Sequence, residues 1–251
     1  MLVTGTVELL PDGSVRNYTL YKAEKLPAPV VELIKRNVAT WKFQFKEPHT
    51  SPIQEDMSLR VIAKDADDHQ MTLRLAGVEF SDKDKPEGET IQWSRRVQPT
   101  YPSLSLNNMM TGTVYVLLRV ARDGTVADFA VEQVNLRRYV KQPYLMDRFR
   151  KDLADAATRV AKYWTFKTPT KGEDAQAPFW YVRVPINFGA DMDNHSGTRY
   201  GSWEVYVRGP RESISWLQDP ALLAEAPDAT PDGAVHQIGS GAQLLTPPAL
   251  N

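Results

Sequence analysis

Few residues in this sequence could do chemistry, and they are scattered. His49, His69, His195 and His236 stand far apart, without the His-x-x-x-His spacing that brings two imidazoles onto one helical turn. Each is expected to be a solvated surface side chain. Asp191-Met192-Asp193-Asn194-His195-Ser196-Gly197 opens like a calcium loop. It has Ser196 where the turn needs Gly and Ser202 where a bidentate Glu belongs, so it reads as a polar turn. Asp65, Asp67 and Asp68 read as a charged loop rather than a carboxylate pair. No Ser lies in Gly-x-Ser-x-Gly, and Gly239-Ser240-Gly241 is not followed by the Lys of a phosphate loop. The absence of Cys removes thiolate ligands, a Cys nucleophile and a disulfide framework. No catalytic residue, metal site or cofactor is therefore expected.

Charge points the same way. The 30 Lys and Arg balance 31 Asp and Glu, leaving no field to collect nucleic acid or an anionic membrane. The paired basic residues Arg95, Arg96, Arg137 and Arg138 read as solvated strand and loop ends. No run approaches the roughly 18 apolar residues that span a bilayer. Met1 to Gly5 shows no basic segment leading into an apolar stretch, so an export signal or anchor is expected to lie outside this chain. The zero Cys count suits the bacterial periplasm, where stray thiols are oxidised.

Stepping from residues to elements, the pattern is internally repetitive. Val3 to Val15 and Val114 to Val126 each read as strand, Asp-Gly turn and strand, because the turn requires a positive φ that Gly adopts cheaply. Val114, Val116, Leu118 and Val120 share one face, and Val3, Gly5, Val7 and Leu9 match them. Tyr18 and Leu20 then correspond to Phe129 and Val131. Each hairpin leads to a helix. Val30, Ile34, Val38 and Trp41 recur at helical spacing in one, and Leu145, Phe149, Leu153, Ala156, Val160 and Trp164 in the other. The helices end on Trp41-Lys42-Phe43 and Trp164-Thr165-Phe166. The Gly13–Gly124 offset is 111 and the Trp41–Trp164 offset 123. The second copy therefore carries 12 extra residues, expected within Asn135 to Tyr144. Closing strands are expected at Ser58 to Ala63 and Trp180 to Ile186, with further strands at Met71 to Phe80 and Ser202 to Arg208.

The second copy resembles the TonB C-terminal family. Gln98-Pro99-Thr100-Tyr101-Pro102, Gly112-Thr113-Val114, Asp123-Gly124-Thr125-Val126, Tyr163-Trp164-Thr165-Phe166 and Val182-Arg183-Val184-Pro185-Ile186-Asn187-Phe188 follow in the family's order. The resemblance implies a periplasmic protein that touches TonB-dependent outer-membrane transporters, an extended segment of which pairs with the last strand of the sheet. It also implies a membrane helix and a Pro-rich spacer; neither is seen in this sequence, which therefore carries no sign of energy transduction. The expected partner-binding residues are Gln98, Pro99, Tyr101 and Pro102, with Tyr181, Val182, Arg183, Val184, Ile186 and Asn187 along the strand. Pro185 would remove one main-chain donor from that edge, a device that protects exposed strands.

The expected architecture is α+β, two tandem small units, each an antiparallel sheet with a helix packed on one face. Residues 1–80 form a degenerate TonB-like unit, 81–90 a polar linker, 91–188 the TonB-like domain, and 189–251 an extension with one strand and a Pro/Gly-rich tail, a poor candidate for a packed core. Function divides between two readings. One is a protein-binding module that takes a transporter segment by strand addition. The other is a structural or dimerising cell-envelope module with no transporter partner and no energy coupling. Neither needs a cofactor or nucleic acid.

Overall fold

The chain first doubles back at its two Asp-Gly turns. Gly13 and Gly124 have φ of 74° and 82°, and a Cβ at either would overlap the carbonyl oxygen of Phe43 or Phe166. Only Gly fits both demands. Asp12 Oδ1 accepts from Ser14 N at 2.9 Å and Asp123 Oδ1 from Thr125 N at 3.0 Å, closing each turn with a local side-chain bond. The Phe43 and Phe166 amides donate to the two glycine carbonyls at 2.9 and 2.8 Å. Each turn is thus tied to the residues that follow a helix.

A computed structural model of the chain describes residues 1–65, 71–82, 85–189, 200–217, 222 and 226–246. His69, Asp67, Asp68, the calcium-like stretch 191–197 and part of the expected linker lie outside the described residues. The first sheet comprises β1 (Leu2–Leu9), β2 (Val15–Leu20), β4 (Ile53–Asp65) and β5 (Met71–Asp82), with α1 (Ala28–Val38) and the short β3 (Phe43–Gln44) before β4. Its order is β2-β1-β4-β5. After β6 (Gln92–Arg95) and α2 (Ser103–Asn107), the second sheet uses β7 (Gly112–Ala121), β8 (Val126–Leu136), β10 (Phe179–Phe188) and β11 (His236–Gln237). Between β8 and β10 lie α3 (Pro143–Ala161) and β9 (Thr165–Lys167). Here the order is β11-β10-β7-β8. All pairings are antiparallel, so the chain is a mixed α and β protein with three helices among the described residues.

Helical periodicity decides what each sheet's inner face meets. Val30, Ile34 and Val38 of α1 and then Trp41 pack with Val3, Val7 and Leu9. Phe149, Leu153, Ala156 and Trp164 pack with Val114, Val116, Leu118 and Val120. Met146, Ala157 and Ala161 are also buried, whereas Leu145 and Val160 are only partly so, shifting the expected stripe by about one residue. Gly5 is small because Thr19 O and the Met57 side chain crowd it. The 12 additional residues, expected within Asn135 to Tyr144, are not confined to that stretch. They lengthen elements: α3 has 19 residues against 11 in α1, and β8 has 11 against 6 in β2.

The C-terminal segment departs most from expectation. Ser202 to Arg208 does not form a strand; Val207 makes one isolated bridge, to Leu136, on the outer edge of β8. The stretch Pro227–Ala229, read as too rich in Pro and Gly to pack, is buried. It lies where the faces of the two sheets turned away from the helices meet. Ser58 Oγ donates to Ala229 O at 2.6 Å and Arg60 Nε to Asp228 O at 2.7 Å. Gln133 Nε2 donates to Gly209 O at 2.9 Å from the other sheet. The tail's polar main chain is buried at low cost because side chains of both sheets bond it. It then contributes β11 to the second sheet, and β12 (Gln243–Leu244) pairs with β3 in a separate two-stranded sheet. The expected linker is docked as well. Ser81 and Asp82 continue β5, and Gly88 O accepts from Thr170 N and Lys171 N at 2.8 and 3.1 Å.

Candidate functional site

β10 is paired with β7 along its whole length, from Phe179 with Ala121 to Phe188 with Gly112. Its outer edge is different. There β11 meets only Val182 and Arg183, with Ile238 N donating to Tyr181 O at 3.0 Å. In the first sheet, by contrast, β5 follows β4 from Glu55 to Asp65. Main-chain groups alternate sides along an antiparallel strand. Since Tyr181 bonds outward, Arg183, Pro185 and Asn187 also face outward, and Val182, Val184, Ile186 and Phe188 bond β7. Pro185 has no N–H, so the edge beyond β11 offers the Pro185 carbonyl and both main-chain groups of Asn187. No described main-chain group pairs with them.

The reason β11 stops short is local. Ala234 N donates to Pro231 O at 3.2 Å, closing a turn over Asp232 and Gly233, with Gly233 at φ 78°. Pro-Asp-Gly is strong turn chemistry, and it peels the tail off β10. The space left is a cleft of about 360 Å³ lined by Gln98, Pro99 and Tyr101, by Pro185 to Gly189 of the strand's end, and by Arg96, Asp232 and Gly233. Tyr101 Oη donates to Met110 O at 2.6 Å and its ring meets Phe188 edge-on at 5.5 Å. These contacts hold the 98–101 segment against the end of the strand.

Of the expected partner-binding residues, Gln98, Pro99, Tyr101, Ile186 and Asn187 thus converge on one cleft. The others do different work. Pro102 precedes α2 and accepts from Leu106 N at 2.9 Å. Val182 and Val184 are buried in the α3 core, and Tyr181 stacks on Trp216, with centroids 6.0 Å apart. Arg183 is a correction: it is wholly buried and bonds Glu132 through Nε at 2.8 Å and Nη2 at 3.2 Å. Its Nη1 lies 3.7 Å from Glu79 of β5. Arg211 also pairs with Glu132, and Thr230 with Glu79. His236 corrects the surface reading too, since it is buried with Nδ1 3.2 Å from Glu79 Oε1. Arg137, expected to be solvated, pairs with Glu204 at 2.8 Å and bonds Asn187 and Thr113.

Sequence reading missed Arg96, Phe188, Gly189, Asp232 and Gly233 at the cleft, and the last two shape it. Their signal was visible as Pro231-Asp232-Gly233, but a turn motif does not say which strand it abandons. Asn187 Nδ2 donates to Asp232 Oδ2 at 2.7 Å. Partial desolvation at the cleft margin raises the Asp232 pKa above its ordinary value, against the pull of Arg137 and Arg60. Among the described residues no group of three or more His, Asp or Glu is placed to hold a metal ion, and no helix is long and apolar enough to cross a membrane. Neither a protein-family model, nor a curated protein, nor a solved structure matches this chain.

Proposed function

We propose that this protein is a periplasmic, TonB-like protein-binding module that captures an extended segment of an outer-membrane transporter by strand addition at the end of β10. The observation carrying this reading is the short outer edge of β10. β11 pairs only with Val182 and Arg183; beyond it the outward main-chain groups of Pro185 and Asn187 pair with no described main-chain group, beside the cleft that Gln98, Pro99 and Tyr101 line. Main-chain groups at such an edge template an incoming strand, and the flanking pockets select its side chains. The same reading makes residues 1–80 and 91–188 tandem copies of one unit. The parallel strand orders, and the identical ties from Asp-Gly turn to aromatic strand, support that relation.

A second reading has its own observation. β11 already occupies the middle of the β10 edge, and the tail clamps both sheets, as a structural envelope module without a transporter partner would require. Calorimetric titration with peptides copying the N-terminal segments of TonB-dependent transporters separates the two. Under strand addition Asn187→Pro, which removes an outward donor, weakens binding by up to about tenfold, the worth of one main-chain hydrogen bond. Asn187→Ala keeps the donor and serves as the control for lost side-chain bonds. Val184→Pro is the wrong variant, because that amide faces β7 and its loss breaks the sheet. Absence of binding by every peptide supports the structural reading.

A further inference from the structure

We infer that Asp232 is the specificity-determining residue of the β10 edge, and that the segment bound there carries a Lys or Arg opposite Asn187. The inference rests on the strand-addition reading. Residues directly opposite on paired strands project to the same face. The partner residue facing Ile186 therefore points toward Pro99 and Tyr101, an apolar wall. Its neighbour facing Asn187 points to the other face, where Asn187 Nδ2 holds Asp232 Oδ2 at 2.7 Å.

The Asp232 carboxylate is only half used. Oδ2 takes Asn187 and lies 3.4 Å from Arg137 Nη2, while no described residue bonds Oδ1. Arg137 is itself held by Glu204 at 2.8 Å, so its charge is shared between two carboxylates. The side chain of Asp232 is 42% exposed at the cleft margin, within reach of an arriving cation. Gly233 leaves the space beside it open, since a Cβ there would meet nothing within 4 Å. The charged groups acting on Asp232 are Arg137, Arg60 and Glu204, and Arg96 also lines the cleft. A cation is favoured over a neutral amide by about fivefold, the upper end for a part-exposed ion pair. An anion is disfavoured.

The test uses the full chain and three blocked heptapeptides of alternating Thr and Val with Lys, Gln or Glu at the centre. Binding is followed by NMR shifts of the Ile186 to Phe188 amides, in wild type and in Asp232→Asn, which keeps an acceptor for Asn187 and loses the charge. A thermal melt checks that the variant is folded. The expected order is Lys over Gln by about fivefold and Gln over Glu, collapsing to near equality in Asp232→Asn. The Lys preference also fades as pH falls through the raised Asp232 pKa. Binding without charge preference, or a preference that survives Asp232→Asn, overturns the assignment of Asp232 and leaves strand addition standing. No shift with any peptide overturns strand addition, and the inference falls with it.

Discussion

Replacing Arg183 by alanine removes a guanidinium that lies wholly inside the molecule, bonded to Glu132 at 2.8 and 3.2 Å and facing Glu79 at 3.7 Å. Breaking a buried pair from one side typically costs about 3–5 kcal/mol, because a buried charge is left uncompensated. Here Glu132 keeps Arg211, and Glu79 keeps His236 and Thr230, so the lower end, about 3 kcal/mol, is expected. For a chain of this size that lowers Tm by roughly 6–12 °C. Calorimetric and circular-dichroism melts of wild type and Arg183→Ala measure it. The Arg183→Met and Glu132→Gln double variant should lose less than the two single variants together, by more than about 1 kcal/mol, since the pair is coupled. A cost below about 1 kcal/mol for Arg183→Ala, with full additivity in the cycle, refutes a structural role for this layer.

The two buried tryptophans should respond differently to Phe. Trp164 Nε1 donates to Val97 O at 2.8 Å, whereas Trp41 Nε1 is buried with no partner among the described residues, so Trp164→Phe should cost more, by about 1 kcal/mol in denaturant titration. Alanine at either should cost about 3–5 kcal/mol. Hydrogen bonds from Thr125 hold the Asp123 pKa below its usual value. Its contribution is present above the unfolded pKa and lost as pH falls through the lower folded one. The stability difference between wild type and Asp123→Ala should therefore disappear in strong acid, and a pH-independent difference would refute that account. Proteolysis within residues 81–90 should leave both fragments co-eluting on gel filtration, because the tail bonds both sheets. Free fragments would show that the tail is not a clamp.

Local chemistry made much of this fold legible. The Asp-Gly turns, the apolar alternation of β1 and β7, the helix stripes and the tryptophans that end them all depend on neighbours a few residues away. The convergence of Gln98, Pro99 and Tyr101 with Ile186 and Asn187 lies one level further, and periodicity does not reach it. What only the tertiary structure decided is where polar residues find partners distant in sequence. Arg183 and His236 look like surface side chains until Glu132 and Glu79 are beside them. Ala229 and Ala242 belong to a tail whose Pro and Gly content argues against packing, yet both are buried. Composition predicts burial only through the transfer cost of a lone group. Once a distant strand supplies the matching donor or acceptor, most of that cost is offset, and the match exists only in the folded chain.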